Sequence, residues 1–214
     1  MTDSIRTTSQ DVLLVVDVQN DFCPGGRLAV EAGHSVIQPI LKVAARFKHV
    51  ILTQDWHPPG HHSFASAHAG KNPFEQIRMS YGEQTLWPDH CVQGTRGAEF
   101  HPDLNLSQAE LILRKGFRPE IDSYSAFFEN DRTTPTGLAG YLRERGLRRI
   151  FIAGLAYDYC VAYSALDARR LGLPAVVIRD ACRAIDLNGS VESTERQFAE
   201  SGVTLIESTA VTDQ

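Results

Sequence analysis

The residues able to do chemistry in this chain are few and unevenly spaced. Cys160 closes the run Gly154-Leu155-Ala156-Tyr157-Asp158-Tyr159-Cys160, where an apolar stretch gives way to a helical pattern. A sulfur at such a turn lies near the unpaired N–H groups and positive end of the helix, a setting that favours thiolate over thiol. Cys23, Cys91 and Cys182 follow no such strand-to-helix turn, although Cys182 comes soon after another apolar run. The plain reading of any one cysteine is a small buried hydrophobe, and the absence of CxxC pairs leaves thiols rather than disulfides as the expectation. Context selects Cys160 as the candidate nucleophile.

A thiol must send its proton somewhere, and a carboxylate can take it if a nearby cation balances the charge. Asp17 and Lys115 have the position for that work. No histidine stands at a strand end in the context of a papain-like pair, so a Cys/Asp/Lys arrangement is preferred to Cys/His. A purely structural Asp17–Lys115 ion pair would look identical in sequence. A second constellation, Asp55-Trp56-His57 followed by His61, His62 and His90, offers one carboxylate and several imidazoles. With open positions for water it suits zinc, iron or manganese. Asp-x-His alone is a weak signal that surface histidines explain equally well; the return of His90 across a long loop strengthens it.

The elements that must position these residues are legible as short β-rich apolar runs at 12–18, 50–53, 111–113, 150–153, 175–178 and 203–206. Helical patterns lie between several of them, which predicts an α/β protein with a mostly parallel sheet covered on both faces. The predicted helices are 35–47, with Ser35 and Gln38 as a capping box, and 138–145, between Thr136 and Gly146. Two more are predicted at about 159–171, stopping at Gly172, and at 190–201, stopping at Gly202.

In an open parallel sheet, ligands bind beyond the carboxyl ends of the strands. Asp17 ends the first run, Asp55 and His57 follow the second, Lys115 the third, and Asp158 and Cys160 the fourth. Each has a dull explanation, such as a helix cap for Asp158 or a solvated charge for Lys115, but their shared location does not. Residues 55–109 show no clear periodicity; their two Trp and several Phe argue for an ordered, functional loop. No repeat or linker divides the chain, so one domain over 1–214 is expected.

A net charge of −5 without a basic cluster argues against nucleic acid as a partner. The first eleven residues lack the apolar core of a signal peptide and no segment approaches a membrane span, so the expectation is a cytoplasmic protein with no membrane partner.

Taken together, several runs resemble the nicotinamidase/pyrazinamidase branch of the isochorismatase-like cysteine hydrolases. They are Val16-Asp17-Val18-Gln19-Asn20-Asp21-Phe22, Asp55-Trp56-His57-Pro58, His61-His62-Ser63-Phe64-Ala65 and Trp87-Pro88-Asp89-His90-Cys91-Val92. Lys115-Gly116, Asp122-Ser123-Tyr124-Ser125-Ala126-Phe127 and Gly154 to Val161 complete the set, in that family's order from about residue 11 to 207. The resemblance implies a three-layer α/β/α fold with a mostly parallel sheet of about six strands. It implies a catalytic triad of Asp17, Lys115 and Cys160. It implies one divalent metal, zinc before iron or manganese, on Asp55, His57 and His90 with water. It also implies a cis peptide between Leu155 and Ala156, so that the N–H groups of Ala156 and Cys160 form an oxyanion hole. Phe22 and Trp87 would sandwich a pyridine ring, with Tyr124 nearby.

The implied reaction is hydrolysis of nicotinamide to nicotinate and ammonia through a cysteine thioester, with pyrazinamide as a side substrate and the metal orienting the ring. A homo-oligomer is compatible with the sequence. Two departures stand out. Tyr157 replaces the Thr of many members, and the adjacent His61 and His62, with Ser63, leave the rest of the metal shell open. Another hydrolase of the superfamily, acting on isochorismate or an N-carbamoyl compound, is disfavoured by the paired metal motif. A silent binding scaffold is disfavoured by the intact triad.

Overall fold

Six parallel strands form the main sheet of the computed structural model, which describes residues 4–213. In chain order the elements are β1 (Ile5–Arg6), β2 (Asp11–Val16), α1 (Ile37–Ala44), β3 (His49–Asp55), β4 (Gln76–Met79), β5 (Gly82–Thr85) and β6 (Leu111–Lys115). They continue with α2 (Leu138–Glu144), β7 (Arg149–Leu155), α3 (Ala162–Arg170), β8 (Ala175–Arg183), α4 (Ser190–Ser201), β9 (Thr204–Ile206) and β10 (Val211–Thr212). The main sheet has the order β6-β3-β2-β7-β8-β9 with every neighbouring pair parallel. The strands β2 and β7 at its centre carry the sequences DVLLVV and RIFIAGL, nearly all buried, because a parallel sheet is covered on both faces. Right-handed crossovers assign α1 to one face and α3 and α4 to the other. Accordingly α3 packs on β8 and α4, while α1 packs on β7 and β8. The predicted α/β class with about six parallel strands is the observed one.

The boundaries differ for identifiable reasons. The strand β2 stops at Val16 because Asp17 takes φ 47°, outside the β region. The strands β6, β7 and β8 extend past their apolar runs to Lys115, Leu155 and Arg183. The helix expected at 35–47 is a 3₁₀ turn, Gly33–Val36, followed by α1. Its Ser35–Gln38 capping box does not form: Val36 is the N-cap, no side chain caps it, and Ser35 Oγ is buried without a partner. The helix expected from 159 opens instead with a π turn, Tyr157–Val161, before α3. The α4 helix has the expected span and ends at Gly202 with φ 69°. The aperiodic stretch 55–109 contains the antiparallel hairpin β4–β5 and two 3₁₀ turns, Ala65–Ala67 and Arg96–Ala98.

One glycine bears on the site directly. The β7–β8 register shifts between Ile152 and Gly154, and Gly154 has φ 121° with its Cα against the Val16 backbone. Any Cβ there would collide with that backbone, so glycine lets the ends of β2 and β7 approach just before Asp17 and Cys160. No helix among the described residues is long and apolar enough to cross a membrane.

Candidate active site

The carboxyl ends of four adjacent strands, β6, β3, β2 and β7, deliver Lys115, Asp55, Asp17 and the turn bearing Cys160 to one place. Lys115, fully enclosed, is its hub. Its Nζ lies 3.3 Å from Cys160 Sγ, 2.9 Å from Asp17 Oδ2 and 2.8 Å from the Ser123 carbonyl, and it also contacts Asp55 Oδ1. Asp17 Oδ2 is in ion-pair range of that ammonium at an angle that leaves the oxygen without a hydrogen-bond donor. Its other oxygen, Oδ1, receives the Thr53 hydroxyl at 2.6 Å.

The electrostatics of this cluster follow from burial and charge count. Burial pushes the Cys160 thiol well above its usual range, the Asp17 and Asp55 carboxylates add to that, and Lys115 only partly opposes it. The expectation of a resting thiolate at a helix terminus is therefore corrected: the sulfur sits within a buried π turn, with carboxylate oxygens of two acids within 4.8 Å. Burial also raises Asp17, with Asp55 adding and Lys115 opposing. Burial would lower Lys115, but Asp17, Asp55 and the thiol outweigh it and hold the ammonium well above its usual range. The result is a thiol beside a carboxylate with raised proton affinity and a fixed cation, a set that can move one proton without creating net charge.

Asp55, His57 and His90, all buried, offer one ligand atom each within 4.8 Å of one another. His57 Nδ1 is 2.8 Å from the Gly116 carbonyl and His90 Nδ1 is 2.8 Å from the Pro88 carbonyl. A carbonyl only accepts, so both Nδ1 atoms carry a hydrogen, and both rings turn Nε2 toward Asp55 Oδ2, at 3.5 and 3.8 Å; burial disfavours charge on His57, but the Asp55 carboxylate outweighs it and raises its pKa. His57 Nε2 is buried without a hydrogen-bond partner. Two ring nitrogens converging on a carboxylate suit a divalent cation, which would take the Nε2 lone pairs in place of a proton, and backbone carbonyls behind the rings are the usual orienting groups for ligating histidines. Gly116 permits this, since a Cβ there would run into the His57 ring.

His61 packs against the His57 ring, 4.5 Å between centroids, but its nitrogens are engaged elsewhere. Its Nδ1 receives the Ser63 N–H at 3.1 Å, and its Nε2 lies 3.3 Å from the Ile121 carbonyl. Burial lowers its pKa to about 4. His62 is exposed. A carboxylate oxygen from each of Asp17 and Asp55 also lies within 4.8 Å of Cys160 Sγ, but Lys115 already supplies the cation there.

Cys160, Ala156, Asp55 and His90 open into a single cleft of about 310 Å³ of empty space, shared with Phe22, Trp87 and Tyr124. The Leu155–Ala156 peptide is cis. Trp87 Nε1 donates to Tyr124 Oη at 3.0 Å, and Gln84 Nε2 reaches the same oxygen at 2.9 Å and Asp122 Oδ2 at 3.0 Å. Tyr157 points away from the cleft, packed edge-on to Phe198 and beneath the Arg179 guanidinium. Of the candidates named from sequence, Asp17 and Cys160 meet around the Lys115 ammonium, Asp55, His57 and His90 form the metal-type cluster, and Phe22, Trp87, Tyr124 and Ala156 line the cleft, whereas His61, His62, Ser63 and Asp158 lie outside these sets.

Sequence reasoning gave no role to Thr53, Gln19, Gln84, Asp122, Tyr159 and Ile185. Gln19 pairs its amide with both Asp55 backbone groups, at 2.8 Å each. Thr53 had a usable signal, because residues two apart on a strand share a face and Asp55 was already a candidate. Tyr159 and Ile185 line the cleft from turns whose path a single sequence does not reveal.

Fold and site together define an α/β protein whose six-stranded parallel sheet carries a buried Cys–Asp–Lys set beside a His/Asp cluster. The chain belongs to the isochorismatase family, whose domain matches residues 11–210. It is 55% identical to a nicotinamidase of Acinetobacter baylyi over 95% of both chains. The solved nicotinamidase/pyrazinamidase of Acinetobacter baumanii superposes with a TM-score of 0.94 at 54% identity, covering 95% of this chain and 99% of that one. The pyrazinamidase of Pyrococcus horikoshii, solved in complex with zinc, gives a TM-score of 0.74 at 34% identity, covering 92% of this chain and 99% of that one.

Proposed function

We propose that this protein is an amidohydrolase that converts nicotinamide to nicotinate and ammonia through a thioester on Cys160, with pyrazinamide as a side substrate. One observation carries the reading: the Cys160 thiol, 3.3 Å from Lys115 Nζ, opens into the same cleft as the Asp55/His57/His90 cluster. The similarity to nicotinamidases supports the choice of substrate.

Asp17 takes the thiol proton as Sγ attacks the carboxamide carbon, and Lys115 holds both anions in place. The backbone N–H groups of Ala156 and Cys160 meet the developing oxyanion, a role that typically contributes two to three orders of magnitude, about 10²–10³-fold per donor. Asp17 then passes the proton to the departing nitrogen as the C–N bond breaks, and ammonia leaves. A water molecule gives its proton to Asp17 and its hydroxyl to the thioester carbon; the sulfur leaves and recovers the proton. Phe22 and Trp87 confine the ring, with Tyr124 fixed behind Trp87. Asp55, His57 and His90 would hold a divalent ion, zinc in the first instance, which when bound supplies a Lewis acid for the ring nitrogen.

The test is ammonia release from nicotinamide by purified, metal-supplied protein. Turnover that vanishes in Cys160→Ala supports the reading. No release from nicotinamide, with release from an N-carbamoyl substrate, would overturn it.

A further inference from the structure

Asp158 sits two residues before Cys160 in the same π turn and is buried, yet it does not cap that turn. Its carboxylate instead reaches across to residues 184–189, which link β8 to α4 without helix or strand. Oδ1 accepts the Ile185 N–H at 3.0 Å. Oδ2 accepts the Asp186 N–H at 2.8 Å and the Ser190 hydroxyl at 2.5 Å. Two consecutive amides and a hydroxyl thus converge on one anion, the charge-assisted kind of hydrogen bond that is short and strong.

The segment so held has an unusual backbone. Asp186 and Asn188 have φ of 55° and 54°, left-handed values that non-glycine residues keep only where neighbours over-determine them. Ile185, whose own amide is one of the two bonded to Asp158, lines the cleft with Phe22, Leu28 and Trp87. Burial of Asp158 and docking of the segment require each other, because an undocked segment would leave a carboxylate in the protein interior without its donors.

We propose that Asp158 is a positioning residue that straps residues 184–189 to the nucleophile's turn and so makes Ile185 a wall of the substrate site. The proposal rests on the amide-hydrolase reading of the cleft, and its effect falls on substrate fit rather than on the thiol. Asparagine at 158 would keep one accepting oxygen and turn an N–H₂ group toward donors, releasing the strap.

The experiment is a double-mutant cycle with Asp158→Asn and Ile185→Ala, reading kcat and KM for nicotinamide and the rate of Cys160 alkylation by iodoacetamide. Each single variant should raise KM by about fivefold or more, the size expected for losing part of an apolar wall, with a smaller change in kcat. The double variant should be no worse than the poorer single one, since both changes remove the same wall. Alkylation should not slow relative to the unmodified protein, as expected of a change that opens the cleft wall and leaves Asp17 and Lys115 beside the thiol. Multiplying effects, or slowed alkylation with KM unchanged, would overturn the proposal. If Asp158→Asn does not fold by circular dichroism, Ser190→Ala removes one donor and carries the same cycle with a smaller KM effect. If the unmodified protein shows no turnover, the hydrolase reading fails separately. Amide exchange then decides the strap: Ile185 and Asp186 should be protected in the unmodified protein and lose that protection in the variant, and equal protection in both would reject it.

Discussion

The Thr53 hydroxyl donates to Asp17 Oδ1 at 2.6 Å while accepting the N–H of Asp17 at 3.2 Å. One side chain therefore holds both the carboxylate and the left-handed backbone of the residue proposed as base, leaving Oδ2 free toward Lys115 and the thiol. Thr53→Val keeps the shape and removes both bonds. It should lower kcat about 10- to 100-fold, the cost of leaving buried polar groups unpaired, with little change in KM. Thr53→Ser should restore most of the rate. Equal kcat in the valine variant would show that Asp17 is held by Lys115 alone.

The four thiols separate cleanly. All are free and buried, but only Cys160 lines the cleft. Cys160→Ala should abolish turnover while the protein stays folded, and Cys23→Ala, Cys91→Ala and Cys182→Ala should each retain substantial activity. Mass spectrometry of substrate-trapped protein should find the acyl adduct on Cys160; an adduct on another cysteine would reassign the nucleophile. Because Cys160 rests as a thiol, the proton acceptor is indispensable, and Asp17→Asn should cost kcat about 10²–10⁴-fold, the usual worth of a general base.

Tyr157 resolves the largest departure noted in the sequence. The phenol does not intrude on the oxyanion turn; its ring lies 4.1 Å from the Arg179 guanidinium carbon and its hydroxyl is buried with no hydrogen-bond partner. Removing an unpaired buried hydroxyl recovers its desolvation penalty, so Tyr157→Phe should be neutral or stabilising by about 1 kcal/mol with activity unchanged. For a chain of this size that corresponds to a rise of about 2–4 °C in Tm, read by calorimetry. A loss of stability would mean that the hydroxyl has a partner in solution.

Much of this was legible because chemistry in a parallel sheet collects at strand ends, where Asp17, Asp55, Lys115 and Cys160 could be read by position. The strands themselves were visible as apolar runs, since burial on both faces removes polar alternation. What escaped was of two kinds. The hairpin β4–β5 is mostly polar, so it has no apolar stripe to announce it, and of its two buried members, Gln84 and Thr85, Gln84 acts through the fold rather than through neighbours in sequence. The raised pKa of Cys160 comes first from burial and then from two carboxylates delivered by other strands, whereas the local turn alone argued the opposite. Asp158 likewise looked like a cap, because its partners lie 27 to 32 residues away.

The last prediction separates orientation from chemistry at the Asp55/His57/His90 cluster. The two histidines are held by backbone carbonyls with Nε2 turned inward, and the cluster shares the cleft with Cys160 but is not interposed between the thiol and its base. If a bound ion serves to hold the ring nitrogen, its removal should penalise nicotinamide, which carries that nitrogen, far more than benzamide, which lacks it. Chelation, or His57→Ala, should therefore narrow the preference between the two substrates, while circular dichroism confirms that the fold persists. If the ion instead polarised the carboxamide or generated the attacking hydroxide, both substrates should fall by a similar factor. The deciding quantity is the ratio of the two kcat/KM values with and without metal. An unchanged ratio beside collapsed activity would remove the orienting role while leaving Cys160 as nucleophile, because its proton path through Asp17 and Lys115 does not involve the histidines.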